Sequence, residues 1–417
     1  MKRVFIIFLT FLTSFTVHAQ WNDGLTAVPA QKGFAIGAYG DADYASTCLT
    51  TSFAFNIVQG NYITNSMKKQ VSSQLQKFNR ADAELNYGMY GVWYDDTLSR
   101  KRVCNFFYAL RHKSFINTTF SPDIFNLAFY GNAMYAGKSA VLMPFSLNMV
   151  SYQQAEVGLV CTNFNGKAEF GIGVSVLAAH QLLIIDERKA SLYTDSSGQE
   201  LQFSSDAQSY RSDTSGNAAY TNGYGASLDL YFKAPYKLGK RNGTISVSAT
   251  DLGFIYWNKR SIFYNKDTSY NYSGVTINNI SDLQNVSLNG ASKDSLQNRF
   301  LPFKQKSFFY TIPSTLSINS NTDFGKYHLE LGYNYIFNAN MVGYVYAQGD
   351  KYLNSGWMTA LQIGYGGYST LNMSIMVQRQ SKNSMYRIVL NHIPGLIVPT
   401  YFGGAGLYLE YLHSFGK

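Results

Sequence analysis

Charged residues, cysteines and long apolar runs are all scarce in this sequence. Only 14% of its 417 residues are Asp, Glu, Lys or Arg, and 3 are cysteine. After residue 19 no stretch offers about 18 uninterrupted apolar residues, which excludes transmembrane helices from that part of the chain. Linkers rich in Pro, Gly or Ser are absent too. We therefore predict one large domain rather than the two or three that length alone suggests.

The three cysteines, Cys48, Cys104 and Cys161, lie far apart and are odd in number. A disulfide framework is expected from even, regular spacing, so we interpret them as small apolar residues on strands. Metal-binding spacings such as C-x-x-C and H-E-x-x-H are missing, as are P-loop and G-x-S-x-G motifs. The sequence thus predicts no metal, no cofactor and no enzymatic activity.

The first nineteen residues are typical of a secretory signal. Lys2 and Arg3 precede a short apolar stretch over 4–16, and small residues follow up to a cleavage position near Ala19. The next residue is Gln20 rather than Cys, which argues against a lipid anchor. An exported protein has no evident nucleic-acid partner, and the formal net charge of +9 is spread along the chain.

Apolar and polar residues alternate in segment after segment. In residues 327–337, for example, Leu329, Leu331 and Tyr333 alternate with polar or small residues. Alternation gives a β-strand one apolar and one polar face. Together with 33 Tyr and 29 Phe, which suit aromatic girdles at membrane boundaries, it predicts an all-β transmembrane antiparallel barrel. We expect about 14 strands, within a range of about 12–16. A soluble sandwich or solenoid is the alternative.

Strands are predicted along most of the chain. Weak strands lie near 33–39 and 48–57, and the main ones are 85–94, 103–115, 125–135, 140–150, 153–163, 167–178, 181–193, 219–233, 243–257, 306–319, 325–337, 340–348, 355–366, 370–380, 384–393 and 403–415.

The predicted organisation is a signal over 1–19, an N-terminal segment over 20–83 and a barrel over 84–417. The N-terminal segment contains one amphipathic helix, which could plug the lumen or rest on the rim. Its apolar positions are Ile63, Met67, Val71, Leu75 and Phe78. Two long polar stretches near 186–222 and 265–305 are predicted to be extracellular loops.

The stretch Ser248–Trp257 resembles the S-x-x-D-L-G-F-I-x-W signature of an uncharacterised Bacteroidota family of exported β-barrels related to the FadL-like outer-membrane transporters. Residues 127–132 and 152–159 are similar to further blocks of that family. The resemblance implies a barrel in the outer membrane of a Gram-negative cell and no catalytic residues. Within the signature, we interpret Asp251 as the anchor of a bend or bulge.

Two alternating strands present candidate pore-lining residues. His328, Glu330 and Asn334 share the polar face of one strand, and Asp229 and Lys233 that of another. If these faces line the lumen, the five side chains contact whatever passes through. The alternative is a solvated interior network without a binding role, because barrel interiors are polar in general.

His112 and Ser114 are weak catalytic candidates. Their spacing places both side chains on one strand face, an arrangement similar to that of the outer-membrane phospholipase, in which a histidine activates a serine. No matching Asn or set of calcium ligands accompanies them. A satisfied strand histidine is the favoured interpretation.

The favoured function is FadL-like transport or binding of a small solute, with a hydrophobic solute as one option. Expected partners are outer-membrane lipid, lipopolysaccharide and, during biogenesis, the barrel-assembly machinery. Two alternatives stay open. One is a non-conducting platform or secretion-accessory protein like the type IX PorP/SprF proteins, and the other is an outer-membrane lipid hydrolase.

Overall fold

The alternating segments form strands in a computed structural model, which describes residues 33–95, 103–162, 168–213, 221–272 and 304–415. Fourteen of the strands close into one antiparallel barrel. The predicted fold class and the central strand count are confirmed. The predicted signal over 1–19 lies outside the described residues.

The described chain contains nineteen strands. They are β1 (Gly33–Ser46), β2 (Asn79–Asp95), β3 (Val103–Phe120), β4 (Lys138–Val141), β5 (Phe145–Thr162), β6 (Glu169–Thr194), β7 (Leu201–Arg211), β8 (Gly223–Leu238), β9 (Arg241–Trp257), β10 (Ile262–Tyr272), β11 (Lys304–Gln305), β12 (Phe308–Thr311), β13 (Ser314–Asp323), β14 (Tyr327–Phe337), β15 (Val342–Tyr352), β16 (Trp357–Gly367), β17 (Leu371–Gln380), β18 (Ser384–Asn391) and β19 (Gly404–Phe415).

The barrel wall uses all of these except β4, β7, β10, β11 and β12. Each wall strand pairs with the next in chain order, and β1 pairs with β19 from Phe34↔Phe415 to Ala45↔Gly404. Closure satisfies the backbone hydrogen bonds on both sides of every wall strand, so the sheet has no free edge.

The outward face of the wall is apolar and exposed. On β14, Leu329, Leu331 and Tyr333 point outward, and Leu331 is 55% exposed, whereas Asn334 points inward and is buried. A closed sheet with exposed apolar side chains on its outer face is suited to hydrocarbon rather than to water. No helix in the described part of the chain is long and apolar enough to cross a bilayer.

The two ends of the barrel differ in their connections. At one end short turns join β8 to β9, β13 to β14, β15 to β16 and β17 to β18. We call it the short-turn end. At the other, long-loop end, the connections after β1, β3, β6, β9 and β18 carry helices or extra strands. Short turns at one end and long loops at the other are typical of membrane barrels.

Within the described residues, four helices lie in these long connections, where the sequence predicted only one. They are α1 (Thr51–Gln59), α2 (Asn65–Ser72), α3 (Pro122–Tyr130) and α4 (Ile393–Ile397). Helix α2 covers part of the predicted helix. Phe53, Val71 and Phe125 from α1, α2 and α3 share one buried cluster, so these helices pack together on the rim.

Helix α3 replaces the strand predicted over 125–135, and that prediction was wrong. The Ser121 hydroxyl caps the helix by accepting a hydrogen bond from the Ile124 N–H at 3.4 Å, and Pro122 occupies the first turn. A serine cap followed by proline and Asp123 is a strong local start signal for a helix. It outweighs a short run of alternation.

The wall begins earlier than residue 84, the boundary predicted from the sequence. Gly33–Ser46 is the first wall strand and Asn79–Asp95 the second, so α1 and α2 connect two wall strands. Strand β1 is rich in Gly and Ala, which weakens its alternation. Its pairing with β19, more than 350 positions away in the chain, is what places it in the wall.

Two pairs of predicted strands are single strands. The predicted strands over 153–163 and the end of 140–150 merge into β5, and those over 167–178 and 181–193 merge into β6, which is 26 residues long. The distal part of β6 pairs with β7, and β7 pairs with β10, so a small sheet extends from the long-loop end. It replaces parts of both predicted loops. Residues 214–220 and 273–303 lie outside the described residues.

The interpretation of all three cysteines as unpaired residues was wrong. Cys104 on β3 and Cys161 on β5 form a disulfide, because the two strands pair in a register that sets these residues opposite each other. A separation of 57 residues in sequence conceals that proximity. Cys48 is free and buried.

Candidate functional site

Strand β9 contains a bulge at Asp251, whose side chain lies on the lumen side of the wall. Asp251 has φ +58°, and the register between β8 and β9 shifts between Leu228 and Leu230. The Asp251 N–H donates to Asp229 Oδ1 at 2.7 Å, which satisfies the amide that the bulge frees from the ladder. The interpretation of Asp251 as a bulge anchor is confirmed.

Asp251 is the centre of an inner charge network, defined as Arg111, Lys113, Gln154, Glu156, Asp229 and Asp251. Lys113 Nζ donates to Asp251 Oδ2 at 2.5 Å, and Gln154 Nε2 donates to Asp251 Oδ1 at 3.1 Å. Arg111 pairs with Glu156, and their side chains are 5% and 0% exposed. Buried charges are tolerated only when they are paired in this way.

The network crosses the lumen. Lys113 lies on β3 and Asp251 on β9, and β5, β6 and β8 stand between them along the wall. Their contact therefore joins two parts of the wall that are not neighbours. The inward side chains of Lys113 on β3 and Gln154 on β5 are thus held against β9.

A second ionic cluster lies among β2, β17, β18 and β19. Arg387 Nη1 contacts Glu410 Oε2 at 3.0 Å, and the Tyr90 hydroxyl donates to Glu410 Oε1 at 2.5 Å. Arg387 Nε donates to Gln378 Oε1 at 2.9 Å. Most of these contacts join neighbouring strands, so the cluster reinforces one part of the wall without crossing the lumen.

The five predicted pore-lining residues all lie on inward faces, but the structure does not bring them together. Asp229 belongs to the inner charge network. Glu330 accepts a hydrogen bond from the Tyr346 hydroxyl at 2.7 Å, and Asn334 is 2% exposed. His328 Nε2 lies 3.5 Å from Asp323 Oδ1, and Lys233 Nζ lies 3.8 Å from Glu169 Oε2, both towards the short-turn end.

Two cavities on the inner side of the wall are small. One of about 50 Å³ is lined in part by Asp43, Asp82 and His392, with His392 Nε2 3.0 Å from Asp43 Oδ1. Another of about 40 Å³ adjoins Lys113 and Asp251. Polar cavities of this size suit a few water molecules.

A larger space of about 600 Å³, the outer groove, lies on the lipid-facing side of the wall. Its apolar walls include Tyr87, Met89, Leu110, Ala155, Val176 and Tyr224. Val176 and Tyr224 are 66% and 70% exposed, which places the groove outside the barrel. His112 and Gln153 add polar groups to its lining, and Arg111 and Gln154 of the inner charge network also border it. The volume is in the range of small-molecule sites, about 300–1,000 Å³.

The structure places His112 in this groove but does not pair it with Ser114. The imidazole stacks on Tyr87 with ring centroids 4.9 Å apart, and its Nδ1 is buried without a hydrogen-bond partner. Ser114 is 2% exposed, and in the described part of the chain no hydrogen bond joins it to His112. Sequence reasoning missed Gln153 and the aromatic walls, because a groove depends on wall curvature. The available signal in the sequence was the presence of the polar residues His112 and Gln153 at outward positions of two strands.

Two buried groups at the long-loop end have shifted pKa values. Burial raises the pKa of the Cys48 thiol to about 12, against the opposing effect of hydrogen bonds from Thr47 and Ser46. Burial also raises the pKa of Tyr135 to about 12, helped by its hydrogen bond to Asp123 Oδ1 at 2.8 Å. Both groups are neutral at physiological pH, so neither contributes a charge or a reactive thiolate.

Several solved barrels are similar to this chain at low sequence identity. The "TodX deltaS2S3 mutant monoaromatic hydrocarbon channel" is 9% identical with a TM-score of 0.48, covering 96% of each chain. The toluene transporter TodX of P. putida is 9% identical with a TM-score of 0.43, covering 94% of this chain and 91% of its own. The Ralstonia pickettii toluene transporter TbuX is 7% identical with a TM-score of 0.30, covering 92% and 90%. Likeness at this level carries no argument about activity.

No curated protein matches the sequence. A family model described as "Family of unknown function (DUF5723)" matches residues 23–384, which is most of the chain. The predicted membership in a family of unknown function is confirmed, while the Bacteroidota origin and the signature stay predictions. The chain belongs to the family DUF5723.

Proposed function

We propose that this chain is an outer-membrane β-barrel of a Gram-negative cell that binds a small hydrophobic solute in its outer groove and transports it in a FadL-like manner. The observation that carries the proposal is the groove itself. It is a space of about 600 Å³ with apolar walls, open to the lipid-facing side of the barrel.

The groove suits a solute that partitions into the bilayer. Met89, Leu110 and Val176 offer apolar surface, so a bound molecule exchanges lipid contacts for protein contacts at little cost. His112 and Gln153 offer hydrogen-bonding groups within the same lining, which would orient a solute with one polar end. Selectivity among apolar molecules would come from shape and from that polar contact.

The lumen favours controlled binding over an open aqueous pore. The described inner cavities are about 50 and 40 Å³, and the Lys113–Asp251 contact spans the space between β3 and β9. A solute that moved through the barrel would have to displace this contact. We therefore expect low conductance in planar bilayers.

The test is binding of N-phenylnaphthylamine, a fluorescent apolar probe, to the full chain in nanodiscs. Ala155→Trp and Ala178→Trp place an indole in the groove and should weaken binding at least about tenfold, equivalent to about 1.4 kcal/mol. Ala347→Trp is the control, since Ala347 is an exposed residue of β15 outside the groove lining. Equal affinity in all three variants would refute the proposal.

The extension sheet favours a second candidate, a platform that binds a cell-surface or secreted partner. Strands β7 and β10 pair beyond the barrel wall and present Ser, Asn, Asp and Tyr side chains. Deleting 195–200, the turn before β7, should remove a stoichiometric partner in pull-downs while probe binding persists. Recovery of the same partner with the deleted chain would exclude this role for the sheet.

The third hypothesis, a lipid hydrolase, keeps its own test. Ser114→Ala should abolish phospholipid hydrolysis if Ser114 is a nucleophile, and an inactive wild-type chain ends the hypothesis. The burial of Ser114 and its lack of a hydrogen bond to His112 make it the least favoured of the three.

A further inference from the structure

Four consecutive hairpin turns of the wall carry a concentration of positive charge at the short-turn end. They join β8 to β9, β13 to β14, β15 to β16 and β17 to β18, which are neighbours around the barrel. We call this surface the basic arc. Its cations are Lys237, Lys240, Arg241, Lys326, Lys351, Arg379 and Lys382.

The charge of the basic arc is not neutralised by neighbouring carboxylates. Only Asp323 and Asp350 occur in the same turns and the residues that flank them. Asp323 lies beside His328, and Asp350 is 8% exposed and accepts a hydrogen bond from Gln348 at 2.6 Å. All seven cations are exposed, and within the described ranges none of them forms an ion pair.

Three of the cations are held against aromatic rings. The Arg241 guanidinium lies 3.8 Å from the centroid of Phe324, Lys351 Nζ 5.4 Å from Tyr327 and Arg379 5.2 Å from Trp357. Each contact joins neighbouring strands or turns of the arc. A cation over a ring face is attracted by the ring quadrupole and is restricted in position.

The rings also indicate at which depth of the membrane the basic arc lies. Phe324, Tyr327 and Trp357 are 41%, 52% and 38% exposed, and Leu238 and Leu353 beside them are 64% and 44% exposed. Exposed aromatic residues at the end of a membrane barrel lie at the boundary between hydrocarbon and water. Cations attached to those rings therefore lie at the level of lipid headgroups.

We propose that the basic arc binds the phosphate groups of anionic phospholipids in the leaflet at the short-turn end. Lipid phosphodiesters are anions confined to that depth, and the arc offers several cations around one part of the circumference. Adjacent hairpins are about 10 Å apart, because each contributes two strands. The arc can thus contact more than one headgroup at once. This role is independent of any solute in the outer groove.

The test is binding of dioleoylphosphatidylglycerol, dioleoylphosphatidylcholine and lipopolysaccharide to the full chain in neutral detergent, measured by native mass spectrometry and by thermal shift. Arg241→Gln, Lys351→Gln and Arg379→Gln are combined in one variant. The control combines Lys77→Gln, Lys138→Gln and Lys306→Gln, which removes the same charge from exposed lysines elsewhere, two of them also over aromatic rings.

Wild-type chain should prefer phosphatidylglycerol, and the arc variant should lose about 100-fold in affinity for it, at roughly fivefold per cation. The control should lose little, and added salt should weaken binding in the wild type more than in the arc variant. The proposal is overturned if the wild type shows no preference or if both variants lose equally. It is also overturned if the arc variant loses affinity for lipopolysaccharide but not for phosphatidylglycerol.

Discussion

The wall from β3 to β9 is irregular, whereas the strands from β13 to β19 pair regularly and all but the last connection, which carries α4, are short turns. Pairing between wall strands shifts register at Ser151/Tyr152 and at Leu228/Leu230 in the first region. In the second region it shifts only at Val342/Tyr344, within the described strands. The first region also contains the outer groove and the inner charge network.

The two regions use buried charge differently. Arg387 and Glu410 lie on neighbouring strands, so their ion pair supports the local wall. Lys113 and Asp251 lie on strands separated by three others, so their ion pair connects distant parts of the wall. The comparison teaches that bulges and cross-lumen charges occur together where the wall departs from a simple cylinder.

Removing the cross-lumen cation should have the largest effect. Lys113→Met leaves Asp251 and Asp229 buried without their cation and should lower the free energy of unfolding by about 3–5 kcal/mol. Urea unfolding in detergent measures the loss. Arg387→Met, the matched change in the regular wall, should cost a similar amount.

Binding of the fluorescent probe distinguishes Lys113→Met from Arg387→Met. Lys113→Met should also weaken N-phenylnaphthylamine binding, because β3 and β5 line the outer groove, whereas Arg387→Met should leave it intact. Equal binding by both variants would contradict the idea that the cross-lumen contact shapes the groove.

Loss of the disulfide should come next. Changing Cys104 and Cys161 together to Ser removes a covalent link in the irregular wall and should cost about 2–4 kcal/mol. Wild-type chain treated with dithiothreitol is the control and should unfold at the same urea concentration as the double variant. A variant as stable as the oxidised wild type would show that the β3–β5 ladder alone maintains this part of the wall.

A smaller loss is expected where a tyrosine ring covers a glycine in the regular wall. A Cβ at Gly332 would lie 2.2 Å from the Tyr346 ring, so Gly332→Val should cost about 1–3 kcal/mol. Gly349→Val, on the strand that carries Tyr346, meets nothing within 4 Å and should be close to neutral. Similar losses in both variants would mean that ring packing is not the cause.

The smallest expected signal is thiol labelling. Cys48 is fully buried and its raised pKa keeps the thiol neutral, so maleimide should not label the folded chain. Labelling in denaturant should give one thiol without reductant and three with it. Fast labelling of the native chain would show that the helices at the long-loop end open readily.

The regular wall was predictable because its information is local. Strands β14 to β19 were predicted to within a few residues, since alternation and short turns both occur within each segment. Predictions were poorer where distant pairing decides the structure. Strand β1 depends on β19, and the Cys104–Cys161 disulfide depends on the β3–β5 register. Helix α3 was a different kind of error. Its cap signal was present at Ser121, but the prediction followed the alternation of apolar and polar residues instead.

The candidate site was only partly accessible from sequence. Side-chain parity predicted that Asp229, Glu330 and Asn334 face inward, since neighbouring residues on a strand point to opposite faces. Alternation along a strand gives the face on which a side chain lies, but not its distance from residues on other strands. The contact of Asp229 with Asp251 could therefore not be predicted. The outer groove was equally inaccessible, because it depends on how six strands curve.

The order of residues along the chain determined that this protein is a barrel with an apolar outer face, because period-two alternation acts within each strand. Tertiary structure alone decided that Lys113 meets Asp251, that the wall is concave beside Val176 and that four basic turns adjoin. The physical reason is that closure of the sheet brings together residues that no local interaction connects, and only their shared geometry makes a site.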